Sequence, residues 1–205
     1  MENLKSKEQL WSDFQHGSEQ AFSVLYNTYF NLLYNYASKF TSDKDLIKDC
    51  IHDLFIRLWE RRDTTKEVTS PKFYLLKAMR HSIFNALAEK KKLVHDEEHL
   101  AEDRFEFVLP HESLLISRQI SKEQQEHIVR ALNTLTDRQK EVIFLRFYNN
   151  LSYEEIAAVM DLHVDSCYNL VSKALGLLKK NIVKVGLCLM VINEIKLYFF
   201  LKDTV

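Results

Sequence analysis

Two prolines and three glycines are all the strong backbone breakers that the 205 residues contain. A turn-rich β architecture needs many more, so their scarcity favours long helices. Cysteine is equally sparse: Cys50, Cys167 and Cys188 lie far apart, form no CxxC pair and cannot all pair with one another. That excludes a disulfide framework and indicates a reducing, cytoplasmic compartment. There is no glycine-rich phosphate loop and no HExxH run, and no other enzyme signature takes their place. His95 and His99 stand four apart in an acidic stretch with no third ligand in view, so no metal or other cofactor is expected. The opening run Met-Glu-Asn-Leu-Lys-Ser-Lys-Glu is polar and lacks the apolar centre of a signal peptide. An excess of either charge is missing too: the formal net charge is −1, so the total gives little support to nucleic-acid binding.

What is present is a globular composition, 46% hydrophobic and 28% charged. The charges are unevenly placed. Residues 93–127 hold nine acids and three bases, whereas residues 128–182 hold seven bases and six acids. Apolar side chains recur at helical spacing over 10–40, through Phe14, Phe22, Leu25, Tyr26, Tyr29, Leu33, Tyr36, Ala37 and Phe40. Thr41-Ser42-Asp43 reads as a turn and cap. A helix follows over 44–61, with Leu46, Ile47, Cys50, Ile51, Leu54, Phe55 and Leu58 as its apolar stripe. Its opposite face carries Asp45, Lys48, Asp49, His52, Asp53 and Arg57. Ser70-Pro71 opens a third helix that ends in Lys90-Lys91-Lys92.

Residues 93–120 are acidic and sustain no apolar face, which reads as a linker. Beyond it helices are expected over 122–135 and 138–148, the second broken by Asn149-Asn150. Ser152 with Glu155 three residues on is a capping-box signature, and the helix it starts runs to Met160. The turn Asp161-Leu162-His163 leads into a last helix over 165–181. The fold class is therefore all-α: two small helical domains, 1–92 and 121–182, joined by the acidic linker 93–120 and followed by a tail, 183–205. In that tail Val185–Ile192 carries no polar side chain and Leu197–Leu201 is a second apolar run. Asn193, Glu194 and Lys196 fall between them, which makes a poor membrane span. A helix that packs on a domain or binds a partner is the preferred reading.

The strongest local signal lies at 152–178. A short capped helix, a three-residue turn and a second helix form a helix-turn-helix, with Ile156, Ala157, Leu162, Cys167, Leu170, Val171 and Ala174 spaced to pack the pair. Its second helix would enter the major groove and offer Ser166, Tyr168, Asn169 and Lys173 to base edges. Such hairpins also occur as plain core, so the segment alone leaves that reading open.

Here the sequence resembles a known family. Leu135-Thr136-Asp137-Arg138-Gln139-Lys140-Glu141-Val142 followed by Leu151-Ser152-Tyr153-Glu154-Glu155-Ile156-Ala157 is similar to region 4 of the extracytoplasmic-function sigma factors of bacterial RNA polymerase. Phe22 to Phe40 resembles region 2.1, and Asp45 to Glu60, ending in Leu-Trp-Glu, resembles region 2.2. Phe73-Tyr74-Leu75 through Arg80 and Asn85 resembles regions 2.3 and 2.4. The resemblance implies a promoter-specificity subunit. Asp49, His52, Asp53, Arg57 and Trp59 would face the coiled coil of the polymerase β′ subunit. Tyr74, Lys77, Arg80, His81, Asn85, Lys90, Lys91 and Lys92 would hold the melted −10 element, and the 165–181 helix would read the −35 element. Core RNA polymerase and promoter DNA are the implied partners, with an anti-sigma factor as a further one.

The recognition helix departs from the family pattern. His163 stands where the family usually has Ser or Thr, and Tyr168, Leu170 and Gly176 stand where it usually has bases or, at the second, Gln. In the third helix His81 replaces a usual Asn, and Ala88-Glu89 replaces a more basic pair. Lys173, Lys179 and Lys180 remain as cations, which implies weak DNA binding outside the polymerase complex. Two other readings stay open at this stage: a response-regulator-like DNA binder without polymerase contact, and a diverged helical module that binds proteins only.

Overall fold

Every regular element among the described residues is helical. The structure, a computed structural model, describes residues 7–64, 70–94, 104–107 and 122–183. The apolar runs of the tail and most of the expected linker, with His95 and His99, lie outside the described residues. The chain divides into two units, Met1–Ala101 and Glu102–Val205.

The first unit contains α1 (Lys7–Gln15), α2 (Glu19–Ala37), α3 (Lys44–Glu60) and α4 (Pro71–Val94), with a 3-10 turn at Arg62–Thr64. The periodic stretch 10–40 thus splits into two helices. Gly17 is the reason: it sits at φ +85°, a conformation that costs residues bearing a Cβ. The Gly17 N–H donates to the Phe14 carbonyl and the Ser18 N–H to the Asp13 carbonyl, closing a Schellman motif on α1. Ser18 then caps α2, its hydroxyl accepting from the Ala21 N–H at 3.2 Å.

Three stripes meet in the core. Leu25, Tyr29, Leu33 and Tyr36 of α2, Ile47, Ile51, Leu54 and Leu58 of α3, and Leu75, Leu76, Met79 and Ile83 of α4 are all buried. An aromatic cluster closes one end: Phe22 lies 5.0 Å from Trp59 and 6.0 Å from Phe55, and Trp11 and Phe14 of α1 pack beside them. Asp43 performs two tasks at the other end. Its carboxylate caps α3 by accepting from the Leu46 N–H at 3.1 Å, and it pairs with Lys90 of α4 at 2.6 Å.

In the second unit, α5 (Lys122–Asn133) leads to α6 (Asp137–Ile143), which widens into a π-helical turn over Phe144–Tyr148. The expected 138–148 helix is therefore α at its start and π at its end. The wide turn sets the Phe144 and Tyr148 rings 4.6 Å apart, and Asn150 at φ +53° ends it. α7 (Tyr153–Val159) and α8 (Val164–Val183) follow.

Residues 104–107, which the sequence places in the linker, are packed on this second unit. Phe105 and Phe107 are buried while Arg104 and Glu106 face solvent. Both rings lie against Phe144, at 5.5 and 6.3 Å. The Phe105 N–H donates to Asp137 at 3.1 Å, and the Asn133 amide donates to the Phe107 carbonyl at 3.3 Å.

Two outcomes are expected. Phe105→Ala removes a fully buried ring and should destabilise the second unit by roughly 3–5 kcal/mol. Trp11 and Trp59 both belong to the first unit, so circular dichroism should record the loss while tryptophan fluorescence stays unchanged. Lys90 and the Leu46 N–H hold the Asp43 carboxyl below its ordinary value, so its stabilising effect is present above the normal carboxylate range and lost as pH falls through the folded value. Asp43→Asn keeps a capping side chain but loses the ion pair. Its deficit in urea midpoint should therefore be present at pH 7 and shrink as pH falls below the ordinary carboxylate range.

Candidate nucleic-acid and polymerase interface

The exposed face of α3 is set by its capped start and its apolar stripe. With Ile47, Ile51, Leu54 and Leu58 turned inward, Asp49, His52, Asp53 and Arg57 share one outward strip. Ile56 stands in the middle of that strip, 55% exposed, an apolar side chain among charges that sequence reasoning missed. Its position off the apolar stripe is the signal that could have found it. Trp59 is different: its half-buried ring packs on Phe14 and Phe22, and the Arg62 guanidinium lies over it at 4.6 Å. The structure builds Trp59 partly into the aromatic core, at the edge of the charged strip.

The expected −10 residues separate into three groups. Tyr74, His81 and Asn85, spaced by about two turns and then one along a single face of α4, line a cleft of about 250 Å³ against α3. Arg57 of α3 and Arg61 at its C-cap line the same cleft, together with Leu54 and Leu58 of α3 and Ala78 and Ser82 of α4. The Arg57 guanidinium donates to the Ser82 hydroxyl at 3.4 Å across the cleft. Arg57, expected on the polymerase side, thus joins the residues expected at DNA, and Arg61 is new; its spacing of four from Arg57 was the available signal. Arg80 is buried instead, with its guanidinium over the Phe84 ring at 4.5 Å, so packing takes it off the exposed face. Lys77 is half-buried and outside the cleft lining. At the end of α4, Lys90 is engaged by Asp43, and Lys91 and Lys92 are exposed.

The helix-turn-helix forms as expected from the sequence. Ser152 and Glu155 make the reciprocal capping box, with the Ser152 N–H donating to the Glu155 carboxylate at 2.8 Å and the Glu155 N–H to the Ser152 hydroxyl at 3.1 Å. Asp161 turns left-handed at φ +52°, and the Leu162 N–H returns to the Ala157 carbonyl at 2.8 Å. Ile156, Ala157, Cys167, Val171 and Ala174 are buried between the helices, with Leu162 and Leu170 half-covered at the margin. Ser166, Tyr168, Asn169 and Lys173 are all exposed on α8.

The exposed face of α8 has a support that the sequence did not reveal. Tyr168 stacks on Tyr153 of α7 at 3.8 Å, and the Arg146 guanidinium lies over the Tyr153 ring at 4.7 Å. Arg146 is itself fixed by donating to the Leu151 carbonyl at 2.7 Å. A ladder Arg146–Tyr153–Tyr168 therefore holds the most prominent side chain of α8. Burial raises the Cys167 thiol above its ordinary pKa, which fits a packing role.

Among the described residues, no helix is long and apolar enough to cross a membrane, and no group of three or more His, Cys, Asp or Glu could hold a metal. The described residues thus hold a helix-turn-helix in one unit and, in the other, a charged helix face beside an aromatic and basic cleft.

Comparison with known proteins narrows the class. The family model described as Sigma-70 region 2 matches residues 25–93, and that described as Sigma-70, region 4 matches residues 125–178. The ECF RNA polymerase sigma factor SigX of Bacillus subtilis is 26% identical over 147 residues, covering 69% of this chain and 73% of that protein. The ECF RNA polymerase sigma-E factor of Haemophilus influenzae is 23% identical over 172 residues, covering 82% and 90%. The sigma factor RpoE of Bartonella quintana, solved with the anti-sigma factor NepR, has a similar fold: TM-score 0.58 at 22% identity, over 80% of this chain and 97% of that one. CnrH, solved with the cytosolic domain of CnrY, gives 0.56 at 17% identity, over 87% and 97%. The chain belongs to the extracytoplasmic-function group of RNA polymerase sigma factors, which direct transcription initiation at specific promoters.

The ladder yields a direct test. Tyr153→Ala removes the ring stacked on Tyr168, so the Tyr168 ring proton signals should move toward solvent-exposed values in NMR spectra while the capping-box amides stay in place.

Proposed function

We propose that the two units divide promoter recognition between them. The first docks on core RNA polymerase through the outward strip of α3, with Asp49, His52, Asp53 and Arg57 forming a polar rim around Ile56. An apolar centre with a charged border is the usual anatomy of a protein-binding patch. The resemblance assigns the β′ coiled coil as its counterpart.

The same unit captures the melted −10 strand in the cleft between α3 and α4. Tyr74 offers a stacking face, Asn85 a donor and acceptor for a base edge, and Arg57, Arg61 and His81 donors for phosphate. Arg57 belongs to both surfaces, so docking and strand capture adjoin. Lys77, Lys91 and Lys92 follow the backbone of the strand. The second unit reads the −35 element with Ser166, Tyr168, Asn169 and Lys173 of α8. The domains 1–92 and 121–182 carry these roles, and 93–120 joins them. The chain acts by binding alone, without catalysis or cofactor, in the cytoplasm where polymerase works. An anti-sigma factor, the kind of partner with which RpoE of B. quintana was solved, is proposed for the apolar tail at 183–205.

The observation that carries this reading is the cleft, which places aromatic, amide and guanidinium groups from two helices around one space beside the docking strip. A second reading, a protein-binding module without promoter activity, is favoured by the single cation, Lys173, among the four candidate base readers of α8.

Core RNA polymerase offered to the immobilised protein separates the two. Retention of polymerase, reduced about tenfold or more by Asp49→Lys with Asp53→Lys, supports docking through α3. No retention at low salt by a demonstrably folded chain sinks the polymerase reading. Retention without promoter-dependent transcripts favours the module.

A further inference from the structure

The segment Arg104–Phe107 alternates exposed, buried, exposed and buried along an extended four-residue stretch. Its two rings fill a site bounded by Phe144, and its backbone is tied at both ends of the turn between α5 and α6, to Asp137 and Asn133. Fourteen residues, 108–121, separate this segment from the start of α5, so it is not a simple extension of that helix. It is a separate anchorage on the second unit.

We propose that Phe105 and Phe107 form a clip that sets the reach between the two units, and with it the separation of DNA elements that one chain can engage at once. With the clip closed, the only tether between the units is residues 95–103. Between Val94 and Arg104 that tether spans at most roughly 33–36 Å, whatever its conformation. With the clip open, the tether extends to Lys122 and its limit rises to roughly 90–100 Å. For two linked binding sites, the effective concentration of the second depends on whether the tether matches the span. The clip thus acts as a positioning device: unpacking two phenylalanines lengthens the reach about threefold without altering either binding face. The consequence for DNA spacing rests on the proposed division of promoter recognition; the clip itself does not.

The test places the same ten-residue Gly-Ser insertion on either side of the clip in the full chain. One variant carries it between Ala101 and Glu102, the other between Glu112 and Ser113. Distances between spin labels on α3 and α8 are measured in the free protein. The upstream insertion should lengthen the mean distance by roughly 5–10 Å. The downstream insertion should leave it unchanged, because the closed clip takes those residues out of the tether. Adding Phe105→Ala and Phe107→Ala to the downstream variant should restore the lengthening, with total helix content shown by circular dichroism to match that of the parent. Equal lengthening by both insertions overturns the clip, and so does no change from either. Since neither polymerase nor DNA is used, failure here is distinct from failure of the proposed polymerase docking.

Discussion

A chain this poor in glycine and proline has to end and restart its helices with side chains, and the functional geometry hangs on those few hydrogen bonds. Ser18, Asp43, Thr136 and Ser152 each turn an oxygen onto the N–H groups of the helix that follows. The matching stops are left-handed residues: Gly17 after α1, Asn150 after the π-helical turn and Asp161 after α7. Only the first is a glycine. Asn and Asp tolerate this conformation better than other side chains, so polar residues do work that glycine does in turn-rich folds. The cap at Ser152 and the turn at Asp161 together aim α8, and the exposed face of α8 follows from that aim.

Asp43 extends the same logic from local to tertiary structure. One carboxylate starts α3 and holds the far end of α4, so the two helices that line the cleft are fixed relative to each other at their distal ends. At the other end the ring cluster of Phe14, Phe22, Phe55 and Trp59 packs α1, α2 and α3 together. The cleft lies between a polar tie and an aromatic plug. Between these two fixed ends, Arg57, Tyr74, His81 and Asn85 line one space.

Much of this was legible in the residues. Periodicity found the helices, the Ser152–Glu155 pair found the start of the helix-turn-helix, and the apolar spacing of α3 identified its exposed strip. What escaped was of three kinds. A single glycine split a periodic stretch, because periodicity records faces and ignores one-residue interruptions. Two arginines escaped because a sequence shows charge but not the ring it lies on: Arg80, expected at the −10 element, is buried over Phe84, and Arg146, which nothing in the sequence singled out, is half-buried over Tyr153. The clip escaped because a two-residue alternation, Phe105 and Phe107, is too short to stand out in an acidic stretch. Its alternation was the available signal, and the composition around it hid the signal.

The fate of the cations reaches beyond the fold. Lys90 is neutralised by Asp43, Lys140 by Asp137, and Arg80 and Arg146 lie against rings. Four of the 28 basic residues are thus tied into the architecture. At these positions charge and packing cannot be altered separately: removing Asp43 or Asp137 frees a lysine as it loosens a helix end.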